Sequence, residues 1–172
     1  MSKVIRNQQI VDDDWIAIAD DAEIPASGRV IFSWKRWQEV RDALKTGALR
    51  QAQGERDIGV RIPNTADVSA LWAELKDRPL IAIEFPAFGD GRAFSQARLL
   101  RERFGYKGEI RAVGDVLRDQ IFFMHRVGID TIVPRADQDL QDCLKAFRDF
   151  SVPYQGSADQ AVSVFQARRA AS

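Results

Sequence analysis

The sequence predicts an α/β domain with a mainly parallel sheet of about five strands alternating with helices, as an open sheet or a partial barrel, preceded by an N-terminal β-hairpin. Three observations carry this. Apolar runs such as Leu80-Ile81-Ala82-Ile83 are nearly continuous, as in strands covered on both faces. Stretches with helical spacing separate them, long enough for the crossover that a parallel pair requires. Turn-forming residues punctuate the joints, among them Pro63, Pro86, Gly105 and Gly128.

Residues 1–28 read as a ribbon. Val4-Ile5-Arg6, Gln9-Ile10-Val11 and Trp15-Ile16-Ala17-Ile18 cluster apolar residues around polar turns. Asp12-Asp13-Asp14 reads as a solvated turn, because consecutive aspartates on a turn point in different directions. Residues 29–150 then repeat strand and helix. Val30-Ile31-Phe32-Ser33 is followed by Trp37, Val40 and Leu44 at helical spacing and a stop at Gly47. Ile58-Gly59-Val60-Arg61-Ile62 makes the second strand, and Asn64 or Thr65 is placed to cap the helix of Val68, Leu71, Trp72 and Leu75.

The third strand spans 80–85 and its helix 94–104, closed by Gly105. A fourth strand at 109–113 precedes a helix at 116–127 that Gly128 ends. Thr131-Ile132-Val133 makes the fifth strand, and Leu140, Leu144 and Phe147 space the last helix. Residues 151–172 form a polar, small-residue tail with Tyr154, Val162, Val164 and Phe165 as its potential anchors. Arg168-Arg169 reads as a solvated terminus.

A chain of 172 residues fits one domain with one core. Its 25 basic and 25 acidic side chains cancel, which argues against a surface built to neutralise nucleic-acid phosphates. The sequence has no apolar run long enough to cross a bilayer and no signal-peptide core near Met1, so a cytoplasmic location is expected. Cys143 and His125 are the sole residues of their types, so neither a cysteine-bound iron–sulfur cluster nor a cysteine or histidine zinc set is expected.

Ligands of parallel α/β folds collect beyond the carboxyl ends of strands. That rule selects residues 84–94, Gly114-Asp115 and Pro134-Arg135. In the first of these, Gly89 and Gly91 flank Asp90, and Arg92 stands just before a helix start. A helix start also favours an anion. The loop therefore reads either as an oxyanion site, with Asp90, Gly91, Arg92, Ser95, Arg98 and Arg111 as binding candidates, or as an Arg-braced turn. No phosphate-loop or dinucleotide fingerprint occurs, and no cofactor is expected.

Glu84 ends an apolar strand, where a lone buried carboxylate is costly, so Arg111 is its expected partner. Otherwise Glu84 is a candidate acid or base. Asp115, the other catalytic candidate, also fits a helix N-cap. Glu84, Asp90 and Asp115 together offer oxygen ligands for Mg²⁺, although nearby arginines would neutralise them equally well, and no metal site is assigned. On the following helix, Arg118, Phe122 and His125 share a face opposite the apolar stripe, which suits a protein interface or a homo-oligomer, or equally a cover formed by the tail.

The run Ile83-Glu84-Phe85-Pro86-Ala87-Phe88-Gly89-Asp90-Gly91-Arg92-Ala93-Phe94-Ser95 resembles the bacterial domain-of-unknown-function family number 934. So does Gly105-Tyr106-Lys107-Gly108-Glu109-Ile110-Arg111-Ala112-Val113-Gly114-Asp115, continuing through Asp130. Members of that family carry the label of oxidoreductases of sulfite reduction, from their company with the haem-containing sulfite reductase. The resemblance implies a role in sulfur assimilation and sulfite reductase as partner, without identifying catalytic residues. Lacking an iron–sulfur cysteine set and a flavin or nicotinamide fingerprint, the chain is expected to assist that enzyme. A small enzyme with an anion pocket is the alternative.

Overall fold

The computed structural model describes residues 2–25, 27–45, 56–150, 157–159, 166 and 168–169. The expected stop at Gly47 and the anchors Tyr154, Val162, Val164 and Phe165 lie outside the described residues. The strands are β1 (Lys3–Arg6), β2 (Gln9–Asp12), β3 (Trp15–Ala17), β4 (Gly28–Ser33), β5 (Arg56–Ile62), β6 (Leu80–Phe85), β7 (Glu109–Gly114) and β8 (Thr131–Ile132). The helices are α1 (Trp34–Lys45), α2 (Val68–Leu75), α3 (Arg92–Arg98), α4 (Ile121–Arg126) and α5 (Leu140–Lys145).

All the strands join one eight-stranded sheet in the order β2-β1-β8-β7-β6-β5-β4-β3. From β3 to β8 every pairing is parallel; β1 alone runs against its two neighbours. The sheet is thus larger than the five strands expected, and the ribbon is built into it. Trp15–Ala17 departs furthest from expectation, pairing in parallel with β4 at the opposite edge from the hairpin.

All five helices among the described residues pack against one face of the sheet, which curls like a half-barrel. The curl draws its edges together. β2 ends at Asp12 and β3 begins at Trp15, so a link of two residues, Asp13 and Asp14, joins opposite edges of the sheet. Such a link spans no more than about 11 Å between the Cα atoms it connects.

Alternation along each strand then sorts the side chains. Val30, Phe32, Val60, Ile62, Ile81, Ile83, Phe85, Ile110 and Ala112 face the helices and form the main core. Each such large apolar side chain stabilises the fold by about 1.5–3 kcal/mol. Trp15, Ile31, Leu80 and Ala82, with Val113, form a second cluster on the concave face. Gly59 makes room there, since a Cβ would come within 2.9 Å of Leu80 Cδ2.

The concave face also carries charged groups. Arg111, 2% exposed in mid-β7, donates from Nη1 to Asp13 Oδ2 at 2.9 Å and from Nε and Nη2 to Glu109 Oε1 at 3.2 and 3.1 Å. Arg6 donates to Asp14 at 2.8 Å, and Arg29 bridges Asp14 to Asp57. The aspartate turn is thus solvated in part, with Asp12 and Asp14 exposed, while Asp13 turns inward as a counter-ion to Arg111. Among the described residues, no helix is long and apolar enough to cross a membrane.

Candidate functional site: the carboxyl ends of the parallel strands

At the strand ends the concave face opens. Arg61 of β5 and Glu84 of β6 meet there, with Nε 3.0 Å from Oε1 and side chains 40% and 37% exposed. Glu84 is neither buried nor paired with Arg111, as had been expected. Arg111 stands beside Ala82 on one flank of β6, and its guanidinium is taken up by Asp13 and Glu109. Arg61, beside Ala82 on the other flank, reaches Glu84 instead. Behind this pair lie the apolar residues Leu80, Ala82 and Ile31. Nearby in the chain, Ser33 at the end of β4 donates to Asp20 at 2.5 Å and accepts from Arg36 N–H at the start of α1.

The loop after β6 is tied on both sides. Asp90 Oδ2 accepts from Asn64 Nδ2 at 2.6 Å, across from the end of β5. Arg92 grips the same carboxylate through Nε (2.9 Å to Oδ1) and Nη2 (2.6 Å to Oδ2), and its N–H adds a third bond to Oδ1. These Arg92 hydrogen bonds hold the Asp90 carboxyl well below the usual carboxylate range. The bidentate pair satisfies the groups that would otherwise hold a free anion. Asn64 caps nothing; Asp67 caps α2, accepting from Ser69 N–H at 2.8 Å.

The other candidates are likewise engaged. Arg98 pairs with Glu102 one helical turn on, at 2.8 Å, and Ser95 is exposed on α3. Asp115 does not cap α4, which follows a 3-10 turn at Arg118–Gln120. It accepts instead from Arg135 Nη1 at 2.6 Å, while Arg135 also clamps Asp137 with two bonds of 2.7 Å. That clamp lowers the Asp137 carboxyl to about 2. Among the described residues, no three histidine, cysteine, aspartate or glutamate side chains stand together as a metal site. Glu84, Asp90 and Asp115 each have an arginine of their own.

Beside these ion pairs lies an aromatic cavity of about 440 Å³. Phe88 enters it from the loop after β6, Phe94 from α3, and Phe123 from α4. Asp119, Gln120, Arg126, Val127 and Ser157 complete the wall. Gln120, 6% exposed, donates to the Phe88 carbonyl at 3.3 Å and accepts from Leu117 N–H at 3.3 Å, joining the loops that follow β6 and β7. Phe88 and Phe123 nevertheless remain 55% and 49% exposed, and Phe150, 54% exposed, stands 6.0 Å from Phe123.

The sequence points to this helix through the wrong residue. Phe122 is buried, at 9% exposure, against Phe123 and Phe150, and the open ring is Phe123. His125 lies edge-on to Phe147 at 5.5 Å and within 3.3 Å of Gln8 Nε2. The signal that was available is Phe88, a bulky ring on a loop between proline and glycines.

No curated protein matches this chain. A family profile described as a bacterial protein of unknown function, DUF934, matches residues 59–165, which takes in β6, β7 and the walls of the aromatic cavity. The chain belongs to this bacterial family, DUF934.

Proposed function

We propose that this protein is an accessory component of assimilatory sulfite reduction in the cytoplasm, working by binding the haem-containing sulfite reductase. The observation that carries the reading is the exposed rings of Phe88 and Phe123 on the wall of the cavity, with exposed Phe150 6.0 Å from Phe123. Exposed aromatic clusters of this kind mark binding surfaces, where such rings carry most of the affinity. The arginines at the strand ends point the same way, since Arg61, Arg92, Arg98 and Arg135 each already hold a carboxylate. The link to sulfite reduction rests on the family resemblance. The test is co-purification of sulfite reductase with the tagged protein from cells grown on sulfate, beside sulfite reduction in a deletion strain. Absence of association together with normal sulfite reduction overturns the proposal.

One observation favours a small α/β enzyme instead. Arg61 and Glu84 are open to solvent at the strand ends, in front of an apolar floor, as a substrate-binding pair would be. A melting shift with sulfite or phosphate that Arg61→Gln abolishes would support it.

A further inference from the structure

The cavity between the loops after β6 and β7 has a charge as well as a shape. Three of its lining side chains are phenylalanine rings, whose faces carry the negative part of an aromatic quadrupole. Two lining residues, Asp119 and Arg126, are ionic. Arg126 Nε lies 3.3 Å from Asp159 Oδ2, so its charge is offset. Asp119 is exposed on the 3-10 turn and has no ion pair among the described residues. The balance at this cavity is one carboxylate with no ion pair among the described residues, beside three phenylalanine rings.

We propose that this cavity receives an arginine or lysine side chain, presented among apolar residues by the protein partner. The ring faces and Asp119 complement the cation, and Phe88 and Phe123 cover the apolar part of its stem. Arg is also among the residues that most often anchor an interface. The assignment rests on the docking reading above and adds the chemistry of the anchor.

A second feature makes the approach possible. Gly89 and Gly91, on the loop that carries Phe88, have ordinary φ values, and a Cβ at either would meet nothing within 4 Å. The fold itself does not need glycine at these positions. Their bare backbone leaves the loop that carries Phe88 open to a partner chain.

The test uses two small probes of equal body and opposite charge, 4-phenylbutylamine and 4-phenylbutyrate, titrated into the full-length protein while amide chemical shifts are followed. Because sulfite reductase is absent, the result is independent of whether that enzyme is the partner. The amine should bind at least about tenfold more tightly than the acid, with shifts centred on Phe88, Asp119 and Phe123. Asp119→Asn should erase the preference while keeping the fold, and Phe123→Ala should weaken the amine. Equal binding, tighter binding of the acid, or no binding of either probe overturns the proposal. Amine binding that survives both substitutions does so too.

Discussion

Arg111 and Asp13 lie 98 residues apart in the chain, yet Arg111 Nη1 donates to Asp13 Oδ2 at 2.9 Å on the concave face of the sheet. Asp13 belongs to the link that joins the sheet's two edges, so the ion pair ties that link to the central strand β7. Arg111 is 2% exposed, and removing one partner of a buried pair leaves the other's charge uncompensated.

Asp13→Ala is therefore expected to destabilise the fold by about 3 kcal/mol, the low end of the range for a broken buried pair, because Glu109 still holds one side of the guanidinium. Urea unfolding measures it. A loss below about 1 kcal/mol would show that water or Glu109 alone satisfies Arg111.

Two glycines at the strand ends should behave oppositely. Gly114 has φ +104°, and a Cβ there would come within 2.5 Å of the Phe85 carbonyl, so β6 and β7 approach as closely as they do because no side chain intervenes. Gly114→Ala should cost about 2 kcal/mol from backbone strain and that clash. Gly91, with φ −81° and open space around it, should accept alanine within about 0.5 kcal/mol. Thermal unfolding of both variants separates the two cases.

Acid should release the two loop clamps only well below the ordinary carboxylate range. Asp90 and Asp137 are held below their unfolded values chiefly by hydrogen bonds from Arg92 and Arg135. For a depressed carboxyl, the stabilisation is fully present above the unfolded pKa, about 3.9, and is lost as pH falls through the folded one. Carbon-detected NMR titration should place the Asp137 midpoint at about 2, with Asp90 also titrating below the ordinary range. An ordinary midpoint for either would mean that its arginine clamp is open in solution.

The apolar runs at Val30–Phe32, Ile58–Ile62 and Leu80–Phe85 were legible because period and composition are local properties of a strand. So was their alternation with helices, which implies parallel pairing. Pairing across strands was not legible. Glu84 and Arg111 do share a face, but Asp13 and Glu109 hold the guanidinium, and the Glu84 carboxylate goes to Arg61. Asp13 looked solvated because nothing near it in sequence reveals that the sheet curls far enough to bring it to Arg111. In Phe122-Phe123 either adjacent ring suits the core, and only the folded structure shows that Phe122 is the buried one.

Phe123→Ser should leave stability within about 0.5 kcal/mol, since the ring is half exposed and removes little apolar surface from water. A larger loss in urea would mean that Phe123 belongs to the core and does not serve as a contact surface. Solution mass of the same variant also reports any self-association through this face.

The account turns on binding, so the direct measurement is the affinity of the purified sulfite reductase haemoprotein for the wild-type protein and for Phe88→Ser and Phe123→Ser, by calorimetry. Saturable binding by the wild type, weakened at least about tenfold in each variant with the fold intact, is the result expected of a hot-spot ring. Absence of binding by the wild type, or equal binding by all three proteins, would contradict it.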